Sequence, residues 1–160
     1  MDLMDVAQLL GNFGEFFGAI AVVATLGYLA VQVRQNTRSV RAATYQAFSE
    51  SYGDFRTLLV KDERLGALFG KGLRSRSELS TSERFQFDSL MMNFTRVAEV
   101  NFYHEIKGLV DEPFYRGWRD EAVEIWRMPG AQEWWSENSR FLNADFRAVW
   151  QRLITTSDRT

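Results

Sequence analysis

The chain contains no cysteine, which excludes disulfides, thiolate metal sites and cysteine nucleophiles. It has a single histidine, His104, so the helical patterns that pair two histidines on zinc or iron cannot be completed. Position 108, where a second zinc ligand would stand, is glycine, and the residue three before His104 is Asn101. GxSxG and the P-loop are missing, and any serine nucleophile would have to use that one histidine as its base. Only two prolines, Pro113 and Pro129, punctuate the chain, which leaves long segments free to be helical. No alternating Val/Ile/Thr-rich segment outside the long apolar run reads as a strand, and there are no internal repeats or low-complexity tracts.

Basic charge is missing from the first part. All 19 Lys and Arg lie at or beyond Arg34, whereas Asp2, Asp5 and Glu15 are the charges before it. The remaining 18 acids therefore leave residues 34–160 at only +1, without the basic field of a nucleic-acid binder. With 46% hydrophobic and 14% aromatic residues in 160, the composition suits one packed domain plus an anchor.

What is present begins with Phe16 to Val33, FFGAIAVVATLGYLAVQV, a run without a charged residue. As a helix it would be roughly 27 Å long, close to the hydrocarbon thickness of a bilayer. It is apolar around its circumference, because Thr25, Tyr28 and Gln32 form no wet face. A transmembrane helix is the expectation, and a helix buried inside a soluble domain is the competing reading. Arg34, Arg38 and Arg41 follow the run at i, i+4 and i+7, on one side of a continuing helix. By the positive-inside rule they set an outside N-terminus and a cytoplasmic remainder, and they lie in reach of anionic headgroups. Gly14, Gly18, Ala21 and Thr25 form a small-residue stripe of the kind that lets two membrane helices approach closely, which is compatible with a homo-oligomer.

Four segments follow from the sequence: a short acidic extracytoplasmic stretch at 1–15, the span at 16–33, a helical cytoplasmic domain at 34–155 and a frayed tail at 156–160. The span is expected to continue as helix to about Asp62, with Val40, Ala43, Ala47, Phe48, Phe55, Leu58 and Leu59 on its packed stripe and Gly53 as an interruption. Residues 63–73 carry three glycines and read as a short helix or a loop. Ser80 and Glu83 make a capping box for a helix over about 81–107, with Phe87, Leu90, Met91, Phe94, Ala98 and Phe102 facing the core. Gly108 ends that helix, Asp111-Glu112-Pro113 opens the next, and Pro129-Gly130 breaks it. Shorter helices are expected near 131–139 and 144–155. The fold class is all-α, one N-terminal transmembrane helix followed by a bundle of four to five helices.

The run GAIAVVATLGYLAVQVRQNTRSVRAATYQA, Gly18 to Ala47, and the later PGAQEWWSENSRFLNADFRAVW, Pro129 to Trp150, together cover about a third of the chain. On these blocks it resembles a family of uncharacterised bacterial single-pass inner-membrane proteins. The resemblance implies location and architecture, brings no catalytic residues with it, and draws attention to Gln35-Asn36-Thr37-Arg38 and to Trp134-Trp135.

Chemistry-bearing clusters are sparse. Asp120/Glu121/Glu124 and Glu133/Glu137 read as solvated charge between Arg119, Arg127 and Arg140, and His104 as a partly buried, hydrogen-bonded side chain. No metal or cofactor site is expected. Nine aromatics crowd residues 114–150. Most belong in the core, including the i, i+4 pairs Phe114/Trp118 and Phe146/Trp150. Adjacent Trp134 and Trp135 diverge on a helix, so one of them is expected on a partner surface. The leading expectation is a non-enzymatic, membrane-anchored helical interaction module with an unidentified protein partner. The alternative is an anchored sensor holding an apolar ligand or lipid in its aromatic bundle. A third, an enzyme, would need His104 beside an acid in a pocket.

Overall fold

The computed structural model describes residues 3–110 and 112–156, and its regular structure there is entirely helical. Met1, Asp2, Asp111, residues 157–160 and the side chains of Leu3, Asp5, Val6, Ala7, Leu9 and Phe114 lie outside the described residues. With them go the reading of the tail, the first-turn role of Asp111 and the Phe114/Trp118 pair. The chain divides into two compact units, Met1–Val40 and Arg41–Thr160.

The first unit is the start of α1 (Leu3–Lys61), and every residue from Leu10 to Val40 is exposed. Polar side chains in the apolar run bond within the helix. The Thr25 hydroxyl donates to the Ala21 carbonyl at 2.8 Å, and the Gln32 amide donates to the Tyr28 hydroxyl at 2.8 Å. Thr37 repeats the first pattern on Val33 at 2.9 Å. By length and composition this helix is able to cross a membrane.

The second unit is a bundle. It holds the end of α1, then α2 (Glu63–Arg74), α3 (Thr81–Ile106), α4 (Glu112–Arg127), α5 (Pro129–Asn138), a 3₁₀ turn (Ser139–Phe141) and α6 (Ala144–Thr155). Five helices after α1 match the expected architecture. α1 runs unbroken through Gly53 and packs through Phe48, Tyr52, Phe55 and Leu59, at i, i+4, i+7 and i+11. Val40, Ala43, Ala47 and Leu58, expected on the packed stripe, are exposed, because the contact follows the tyrosine-bearing face.

The helix ends follow local chemistry. Asp62 caps α2, its carboxylate accepting the Leu65 N–H at 3.0 Å. The capping box of α3 is complete, with the Ser80 N–H donating to Glu83 at 2.8 Å. Gly108 leaves α3 with φ of 65°, a left-handed conformation that suits glycine. Asn143 caps α6 by accepting the N–H groups of Asp145 and Phe146. Arg127 on α4 donates to the carbonyls of Leu153 and Ile154 at the far end of α6.

Two glycines allow a close helix crossing. α5 meets α2 where a Cβ on Gly130 would stand 1.8 Å from the Gly72 carbonyl oxygen, and one on Gly72 would strike the Phe87 ring. The glycines of residues 63–73 therefore belong to a helix, and Gly130 sits inside α5 rather than at a break. The interruption falls before Pro129, which occupies the first turn of α5.

Aromatic rings fill the interior. Trp126 and Trp150 meet edge to face at 4.5 Å, and Phe94, Trp135 and Phe146 contact Trp126 at 5.0, 6.0 and 6.5 Å. The expected core positions Phe87, Leu90, Met91, Phe94, Ala98 and Phe102 are all buried. A buried arginine ties α3 to α5: Arg76 donates to both oxygens of Asp88, at 2.7 and 2.8 Å, and to the exposed Glu137 on α5 at 2.9 Å.

Candidate interaction surface

Trp134 and Trp135 are both buried, at 0% and 5% exposure, which overturns their assignment to a partner surface. α5 is enclosed by α2, α3 and α4, so its buried arc is wide enough for side chains diverging by one residue. Trp135 also satisfies its indole by donating to Gln151 at 2.7 Å, a bond that anchors it against α6.

Among the exposed large apolar side chains of the bundle, which also include Val60, Phe85 and Phe141, three follow one another on α3. Val100, Tyr103 and Ile106 are 53%, 54% and 59% exposed. They recur at three-residue steps along a stripe that begins on the side of α3 away from Phe94 and Ala98 and ends with Ile106 one turn beyond Phe102, so the apolar side chains of this helix extend past its buried face. Lys107 lies over the Tyr103 ring at 5.6 Å, and Phe141, also exposed, lies under Arg140 at 4.8 Å.

Grooves flank this ridge. On one side a half-open groove of about 410 Å³ has Phe102 and Ile106 in its wall and Glu99, Lys107 and Asp145 among its polar lining. Glu99 is held in place there: it accepts the Asn143 backbone N–H at 2.6 Å and pairs with Arg96. On the other side a groove of about 220 Å³ lies between α1 and α3, lined by Phe48, Val97, Val100 and Asn101 with Ser51, Arg96 and His104.

His104 faces that smaller groove, whose lining includes no carboxylate. Its Nδ1 is buried without a hydrogen-bond partner, so the expected bonded histidine is not found. The neighbouring acid, Glu105, turns to α4, where Arg119 stands 3.9 Å away. Burial raises the Glu105 carboxyl and the Tyr115 phenol above their ordinary values, the phenol also through the adjacent Glu105 charge. The histidine and the acid needed for acid–base work are thus split between two sides of α3. Among the described residues no group of three or more His, Asp or Glu is arranged to hold a metal ion.

The remaining predicted positions lie on α1. Gly14, Gly18, Ala21 and Thr25 are exposed on one side of the helix, and a Cβ at either glycine would meet nothing within 4 Å. Arg34, Arg38 and Arg41 are exposed as well. Sequence reading missed the α3 ridge, although part of its signal was available: Val100 and Tyr103 are out of phase with the core stripe of their own helix, whereas Ile106 continues that stripe by the four-residue step from Phe102.

No protein-family model, curated protein or solved structure matches the chain.

Proposed function

We propose that the protein is a non-enzymatic, single-pass membrane protein that presents a helical bundle for protein interaction. The observation that carries the interaction is the exposed apolar ridge of Val100, Tyr103 and Ile106 on α3, a position where a monomer in water gains nothing by keeping three large apolar side chains together. The anchor reading is supported by the fully exposed apolar run of α1, whose polar side chains bond within the helix as a lipid environment demands. Arg34, Arg38 and Arg41 directly after the run favour a cytoplasmic bundle and an outside N-terminus, and the family resemblance favours a bacterial inner membrane. The Gly14/Gly18/Ala21/Thr25 stripe offers helix contact within the bilayer.

A second reading keeps the sensor but moves its ligand. The tryptophans of the interior contact one another, so an apolar ligand or lipid chain is better suited to the 410 Å³ groove beside α3, a volume within the range of small-molecule sites. One experiment separates the readings. Crosslinking in the native membrane is followed by mass spectrometry of attached proteins, with lipid extraction of a parallel sample. A protein attached through residues 96–107 supports the interaction module, and a co-purifying lipid without an attached protein supports the sensor. Release of the uncrosslinked protein by alkaline carbonate would remove the anchor from either reading.

A further inference from the structure

We propose that the 220 Å³ groove between α1 and α3 is a binding site for a small uncharged aromatic alcohol of about the size of a phenol. The site goes beyond the interaction reading and depends on neither the anchor nor a protein partner. The argument starts from Asn101, a polar side chain only 2% exposed that lines the groove. Its Nδ2 donates to the Val97 carbonyl at 3.0 Å, and its Oδ1 accepts no hydrogen bond among the described residues. The Val97 carbonyl fixes this orientation, because Oδ1 turned toward it would set acceptor against acceptor. An acceptor held this deep without a donor carries a desolvation cost, which a bound hydroxyl removes.

His104 supplies the second polar group. It stands three residues after Asn101, a neighbouring position on α3, and lines the same groove. Its Nδ1 is buried, so Nε2 is the nitrogen left to meet a ligand. A hydroxyl both donates and accepts, so one such group can serve Asn101 Oδ1 and His104 Nε2 together. The rest of the wall selects the body of the ligand. Ala47 and Phe48 of α1 face Val97 and Val100 of α3, which suits an apolar ring. No carboxylate lines the groove to hold a cation, and the guanidinium of Arg96 is already taken by Glu99 and the Phe141 carbonyl. A volume of about 220 Å³ lies between the roughly 150 Å³ that holds benzene and the roughly 300 Å³ at which drug-sized sites begin.

The single histidine makes the test direct, because His104 gives one set of imidazole signals in a proton spectrum. Full-length protein in micelles is titrated with p-cresol and, in parallel, with toluene, which lacks the hydroxyl. The His104 signals are expected to shift saturably with p-cresol, and toluene is expected to bind about tenfold more weakly, the worth of one good hydrogen bond. Asn101→Leu keeps a similar volume without the acceptor and is expected to remove that preference. Ala47→Phe, at an exposed position of α1, places a ring in the groove and is expected to abolish the shift while helical content and melting stay unchanged. This second variant keeps the test decisive should Asn101→Leu fail to fold. Shifts that grow linearly without saturation, or that persist in Ala47→Phe, would mean partition into the micelle and overturn the site. Equal affinity for p-cresol and toluene, or equal affinity for p-cresol and the charged benzylamine, would overturn the ligand class. None of these outcomes bears on the ridge or the anchor, so failure here leaves the interaction reading to its own crosslinking test.

Discussion

Between Leu10 and Val33, α1 holds side chains such as Val22, Val23 and Leu26 outward, whereas in the bundle Phe87, Trp126, Phe146 and Trp150 are wholly enclosed. Both stretches are rich in apolar groups, and the difference is where the medium for those groups comes from. The bundle supplies its own, by crossing helices around tryptophan rings. The arm leaves nearly its whole circumference bare, so its stability as an exposed element depends on apolar surroundings that the chain does not provide. The arm also satisfies Thr25 and Gln32 locally, by i to i−4 bonds, while the bundle satisfies its buried arginine across three elements through Asp88 and Glu137. Local satisfaction suits a lone helix in lipid, and distributed satisfaction suits a tertiary core.

The comparison breaks most directly under charge. Lysine at both Val22 and Leu26 is expected to cost about 5–7 kcal/mol of membrane insertion, from about 2.5–3.5 kcal/mol per charge near a span's centre. The variant is expected to lose carbonate-resistant sedimentation while the unfolding midpoint of the bundle stays put. Retention in the membrane pellet would mean that the arm is not the anchor. The reciprocal change is Trp126→Ala, which should lower bundle stability by about 3–5 kcal/mol in urea unfolding of micelle-bound protein. Val23→Ala in the same assay is expected to change it by less than about 0.5 kcal/mol. Similar effects at the two positions would mean that the arm shares the bundle's core.

A smaller effect probes the crossing of α2 and α5. Gly130→Ala places a methyl group against the Gly72 backbone, and a loss of about 1–3 kcal/mol is expected from overpacking, measured as a shift of the urea midpoint. Gly14→Ala, in the arm, meets open space and should leave that midpoint unchanged. A harmless Gly130→Ala would show that the two helices separate more easily than their contact implies.

Features governed by near neighbours were legible in the sequence. The Ser80/Glu83 box, the end of α3 at Gly108 and the last helix at 144–155 depend on residues within one turn, and the structure has each of them. Features governed by what lies across the core were not. Glycines in residues 63–73 and at 130 carry the same local signal whether they bend a chain or admit another helix, and only the crossing distinguishes the two. Trp134 and Trp135 failed for the same reason, since the breadth of a buried arc depends on how many helices surround α5. On α1, Tyr52 rather than Val40 or Leu58 lies on the packed face, a choice made by Trp118, which meets Tyr52 at 6.1 Å and Phe48 at 5.2 Å. For the site, Val100 and Tyr103 were readable as apolar positions out of phase with the α3 core stripe, whereas Ile106 continues that stripe from Phe102 and its exposure needed the positions of the surrounding helices.

The smallest expected effect sharpens the contrast through pH. The Ser80 backbone N–H and hydroxyl, with Lys71, hold the Glu83 carboxyl at about 2, below its ordinary 4.5. A carboxyl lowered in the folded state contributes stability that is fully present above the unfolded value and is lost as pH falls through the folded one. Glu137, lowered by its bond to Arg76, acts in the same direction. Bundle stability should therefore decline between about pH 5 and pH 2, followed as the melting temperature at each pH. Glu83→Gln keeps an oxygen able to accept the Ser80 N–H but does not titrate, so its decline should be shallower than that of the parent protein. Parallel declines would assign the acid sensitivity to other carboxylates. Residues 16–33 contain no titratable carboxylate, so that stretch has no counterpart to this loss, and its helical signal should stay flat over the same range. A helix that keeps its signal while the bundle melts would separate the two units by measurement, because only one of them depends on charges held at its helix ends.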